Sequence, residues 1–87
     1  MNFIAVDDEP LVLNVIIKAI QDAATGCTVQ GFTNSAEALD AVKSGLAPDA
    51  AFLDIEMFGL NGLELAKLIR EYSNNTKIIA GTEAGGN

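Results

Sequence analysis

Apolar residues along this chain follow two alternating rhythms. Two continuous runs, Phe3-Ile4-Ala5-Val6 and Ala50-Ala51-Phe52-Leu53, are each followed at once by acids, Asp7-Asp8 and Asp54. Runs of this length read as strands buried on both faces. After the first run the spacing changes to three and four. Val12, Val15, Ile16, Ala19 and Ile20 make one stripe of a helix reaching about Ala24, and Leu13 and Ile17 extend it onto a second flank. Asp8-Glu9-Pro10 opens that helix, with Asp8 a candidate N-cap, acid in the first turn and Pro near N1. Thr25-Gly26 closes it. A short strand follows over Thr28–Phe32. Asn34-Ser35-Ala36-Glu37 then resembles a capping box, for a helix that Gly45 stops. A loop with Gly59 and Gly62 leads to a helix over Leu63–Tyr72, whose core stripe is Leu65, Leu68, Ile69 and Tyr72. The expected strands are therefore about 2–7, 28–32, 50–54 and 77–81, before a Gly-rich tail.

Strands alternating with helices require crossover connections. They predict a single α/β domain over residues 1–87, with a parallel sheet covered on both faces. Ligands of such sheets bind beyond the strand C-termini. Asp7, Asp8 and Asp54 fall on that edge, and two like unit charges about 4 Å apart repel by roughly 4 kcal/mol at an effective dielectric near 20. A fold gathers them only with a compensating ion, a raised pKa or a functional reason. Hard carboxylate oxygens suit Mg²⁺, which would offset the repulsion and hold a phosphoryl group for Asp54 to accept as nucleophile.

Composition narrows the possibilities further. Twelve acidic against five basic residues give a net charge of −7 and leave no basic run for a nucleic-acid backbone. The absence of His removes imidazole catalysis and most transition-metal sites. Cys27 is the only cysteine, which excludes an internal disulfide and fits a reducing cytosol. No apolar stretch is long enough for a membrane span, and no signal peptide is evident. Asn74-Asn75-Thr76 matches a glycosylation sequon by chance in such a protein.

The segment Phe3 to Pro10, the segment Phe52-Leu53-Asp54-Ile55-Glu56-Met57, and Gly62 eight residues after Asp54 together resemble a two-component response-regulator receiver domain. Lys77-Ile78-Ile79 followed by Thr82 is similar to that family's fourth strand and switch threonine. The resemblance implies a flavodoxin-like three-layer sandwich with strand order 2-1-3-4. It further implies that Asp54 is the phosphoacceptor and that Asp7, Asp8, Asp54 and the Glu56 backbone carbonyl hold Mg²⁺. Thr82 would bond the phosphoryl group. The implied function is phosphorelay signal transduction in the cytoplasm, with a sensor histidine kinase as partner and no enzymatic turnover beyond self-phosphorylation.

Several positions depart from the family pattern. The resemblance implies a chain truncated after the fourth strand, without the final βα elements and the fifth-strand lysine that pairs with the phosphoryl group. Lys77 starts strand four, at the opposite end of the sheet, and cannot replace it. Phe58 stands where Pro is usual, and Glu83 where a small residue is usual. The alternative expectation is a degenerate receiver acting only in protein association. A haloacid-dehalogenase-like phosphatase or Toprim domain fits less well, because Asp54-Ile55-Glu56 is not Asp-x-Asp. With no fifth helix, Leu13, Ile17 and the edge of strand four would lie open, predicting a homo-oligomer through the first helix and fourth strand.

Overall fold

The computed structural model describes residues 1–57 and 61–81. Its elements are β1 (Asn2–Val6), α1 (Pro10–Ala23), β2 (Thr28–Phe32), α2 (Ser35–Lys43), β3 (Ala50–Asp54), α3 (Gly62–Tyr72) and β4 (Lys77–Gly81). All neighbouring strands pair in parallel, in the order β2-β1-β3-β4. This is the flavodoxin-like arrangement that the alternating pattern and the resemblance lead one to expect.

Strand side chains alternate between the two faces of the sheet. On one face, Ile4, Val6, Ala51 and Leu53 pack with Ala38 and Val42 of α2 and with Leu65 and Ile69 of α3. On the other, Ala5 is buried with Leu13 and Ile20 of α1. Phe3 and Phe52 close that side edge to face, with ring centroids 5.9 Å apart. The continuous apolar runs thus meet helices on both sides, which is why they lack a polar alternation.

The face that α1 turns to the sheet differs from the expected stripe. Leu13 is only 6% exposed, whereas Val12 and Val15 are 41% and 68% exposed. The cause lies on β2. A Cβ at Gly31 would come within 2.6 Å of Ile17 Cδ1 and 3.2 Å of Leu13 Cδ2. The bare backbone there lets α1 settle over β2 and β1, seating the flank that was expected to stay open. Leu13 is therefore buried and Ile17 half-buried, and the large apolar residues of α1 left toward solvent are Leu11, Val12 and Val15.

The helix ends also refine the expectation. Glu9, not Asp8, is the N-cap residue of α1, and its side chain makes no capping bond; the first turn holds no acid. The Asn34 side chain caps α2, accepting from the Ala36 and Glu37 N–H groups at 2.7 and 3.3 Å. Gly45 ends α2 at φ +115°, a conformation that L side chains rarely adopt. On α3, Leu65 and Ile69 are buried, but Tyr72 is 55% exposed and lies beneath the Lys43 ammonium, 5.7 Å from its ring centre. Thr76 of the sequon is buried, its hydroxyl donating to the Pro48 carbonyl at 2.7 Å. That hydroxyl is part of the fold.

Candidate metal centre

Register brings the acids together. Val6 of β1 pairs with Leu53 of β3, so Asp7 and Asp54 come next, abreast at the strand ends. Asp7 is held on its other side by its N–H, which donates to the Phe32 carbonyl at 3.1 Å. Asp54 pairs with Gly81 of β4. One carboxylate oxygen from each of Asp7, Asp8 and Asp54 lies within 4.8 Å of the others. Asp7 is buried, while Asp8 and Asp54 are half-buried.

Local hydrogen bonds aim two of these groups. Asp7 Oδ1 accepts from the Glu9 N–H at 2.9 Å, and Asp54 Oδ1 accepts from the Glu56 N–H at 3.3 Å. Burial raises the Asp54 pKa from its ordinary value, and the charge of Asp7 raises it further. Asp8 and Glu56 push in the same direction, opposed by the Glu56 N–H bond. The site therefore contains repulsion that a cation would relieve. Three hard oxygen donors converging on one point suit a small divalent ion such as Mg²⁺.

Glu56 lies two residues past the end of β3, with its side chain exposed. Together with Asp8, Ile55, Met57 and Asn61 it lines an open cleft of about 500 Å³ beside the acids. Thr82, Phe58 and Glu83 lie outside the described residues. Lys77 pairs with Ala50 at the start of β3, and so sits at the far edge of the sheet from Asp54. One contributor was not singled out in the sequence. Asn61 caps α3, its Oδ1 accepting from the Glu64 N–H at 2.9 Å, and the Asn-x-x-Glu spacing was the available signal. Gly62, noted above only for its spacing, donates its N–H to the Ile55 carbonyl at 3.0 Å.

Comparison with known proteins agrees with this geometry. Stress response regulator protein 1 of Debaryomyces hansenii is 39% identical over 83 residues, covering 93% of this chain and 34% of its own length. The nitrate/nitrite response regulator protein NarL of Escherichia coli is 34% identical over 74 residues, covering 85% of this chain and 34% of its own. The chain thus spans about a third of the length of the curated relatives it matches. Among solved structures, the response regulator TrrA of Thermotoga maritima, crystallised with Mg²⁺-BeF, superposes with a TM-score of 0.83. It is 36% identical, and the match covers 97% of this chain and 70% of that one. The model of the response regulator receiver domain matches residues 3–87, and the chain belongs to that family.

Proposed function

We propose that this chain is the phosphate-accepting module of a two-component phosphorelay, with Asp54 as acceptor. The observation that carries the reading is the convergence of Asp7, Asp8 and Asp54 within 4.8 Å at the end of the sheet. An Asp54 carboxylate oxygen attacks the phosphorus of a phosphohistidine on a sensor histidine kinase. An O–P bond forms, the N–P bond breaks, and the departing imidazole takes up a proton. Asp7, Asp8 and Asp54, joined by the Glu56 carbonyl, would hold Mg²⁺, which supplies charge neutralisation for the incoming phosphoryl oxygens. The Mg²⁺-BeF complex of TrrA supports that choice of ion. The protein's own residues act by placement: Asp7 and Asp54 are fixed by adjacent strands, and the Glu56 N–H orients the acceptor. Thr82 would bond the transferred group. The chain is its own substrate and does not turn over as an enzyme.

A cytoplasmic setting accords with a phosphohistidine donor and with Cys27 as a lone thiol. No helix among the described residues is long and apolar enough to cross a membrane. The charge of −7 argues against direct contact with nucleic acid. Self-association is the further step, favoured by the exposed Leu11, Val15 and Ile79.

The test is incubation with Mg²⁺ and an acyl phosphate donor, read by intact mass. One phosphoryl adduct is expected, not formed when EDTA replaces Mg²⁺ and absent from Asp54→Asn. A chain that binds Mg²⁺ yet gains no phosphate would shift the function to protein association alone.

A further inference from the structure

We propose that Gly62 is a positioning residue of the acidic site: its missing Cβ allows the first turn of α3 to lie directly against the backbone that carries Asp54. A Cβ at this position would overlap the Asp54 carbonyl oxygen and stand 2.9 Å from both the Asp54 carbonyl carbon and the Ile55 Cα. Real Cβ atoms essentially never approach that closely, and the neighbours are main-chain atoms rather than flexible side-chain tips. At Gly31, by contrast, the crowding atoms are side-chain ends of Ile17 and Leu13. Conformation does not explain Gly62, because among the described residues the positive-φ glycines are Gly26 and Gly45. What the position needs is space.

The same residue holds what it touches. Its N–H donates to the Ile55 carbonyl at 3.0 Å, and Asn61 just before it caps the helix, so α3 begins against residues 54–55. The Glu56 N–H that orients Asp54 Oδ1 lies one residue further on. Any side chain at 62 must push this segment or the helix away by about an ångström or more to reach ordinary contact, which exceeds the roughly half-ångström tolerance of a functional constellation. Asp54 would move while Asp7 and Asp8, carried by β1, would not. The three donors would then lose their common centre.

This inference rests on the reading of Asp7, Asp8 and Asp54 as a Mg²⁺ site, and the experiment separates the two. Mg²⁺ affinity and thermal stability are measured for wild type, Gly62→Ala and Ile69→Val. Ile69 is fully buried two turns along the same helix, so its truncation weakens α3 packing without a clash at the site. Gly62→Ala is expected to lose about tenfold in Mg²⁺ affinity, as changes that reorient ligands do. Ile69→Val should melt lower and bind as wild type does. Wild-type affinity in folded Gly62→Ala overturns the inference, and so does an equal loss in Ile69→Val. If wild type itself binds no Mg²⁺, the reading of the site fails first. Should Gly62→Ala not fold, the wild-type protein decides by NMR. The Gly62 amide resonance must move with the same Mg²⁺ midpoint as Asp54 and Glu56, and one that stays fixed overturns the inference.

Discussion

Asp54 carries a charge that its surroundings oppose. Its pKa is raised, by burial first and by Asp7 next. A carboxyl whose folded pKa exceeds its unfolded value favours the folded state most below the unfolded value. That contribution is lost as pH rises through the folded pKa. At neutral pH without metal, the ionised group therefore destabilises the fold. Asp54→Asn is expected to raise Tm in EDTA by up to a few degrees for a domain of this size. Differential scanning fluorimetry at pH 7 and at pH 4 measures it. The advantage should shrink at the lower pH, where Asp54 is increasingly neutral in wild type, and an advantage that grows there would contradict the assigned charge.

Mg²⁺ should invert the order. An ion bound only by the folded protein adds about 2.7 kcal/mol at a hundred times its dissociation constant. Wild type should gain Tm with added Mg²⁺, and Asp54→Asn much less. K⁺ at matched ionic strength is the control for screening. At this scale the acids were readable because each follows an apolar run, and strand ends are where such runs stop. Asn61 was equally readable as Asn-x-x-Glu but lay beside a glycine-marked loop that drew attention to its glycines. The part of Gly62 in the site was not readable, since only coordinates place a helix start against the backbone of residue 54.

Among the elements, α1 shows where pattern reading stops. Its apolar positions are spread over more than one face, and periodicity alone cannot choose which face meets the sheet. That choice was made by a glycine on another element, Gly31, which offers Leu13 and Ile17 a seat on β2. Leu13→Ala should accordingly cost about 2–3 kcal/mol of unfolding free energy, within the range for buried leucines. Val15→Ala, on the solvent side, should change it by about 0.5 kcal/mol or less. Urea denaturation of both variants measures the pair, and equal losses would mean that α1 is rotated from the position described. The strands were legible in order and extent because runs buried on both faces leave little ambiguity. Tyr72 was misread for a different reason: it continues the helical period to the last residue of α3, past the packed surface, where the Lys43 ammonium lies over its ring instead.

For the whole molecule, the covered and uncovered surfaces are unequal. One face of the sheet carries two helices, while the other carries α1, which packs on β1 and β2. Beyond α1, Ile79 of β4 is 38% exposed, and a groove of about 480 Å³ runs between Phe3, Phe52 and the Ile16–Ala23 flank of the helix. β4 is the outer strand of the sheet among the described residues. Exposed apolar side chains beside a sheet edge favour pairing with a second copy, whereas the charge of −7 on each chain opposes it. The balance gives a sign that can be checked. Added salt screens the mutual repulsion, so dimer formation should strengthen with ionic strength; an interface held by ion pairs would weaken. Sedimentation velocity over a concentration series, at low and high NaCl, should show the dimer fraction rising with both. Ile79→Lys together with Val15→Lys should restore the monomer at either salt concentration, because each places a charge where the apolar contact would have to be desolvated. Wild type that stays monomeric throughout, with the same sedimentation coefficient as the double variant, would show that the chain tolerates this face in water.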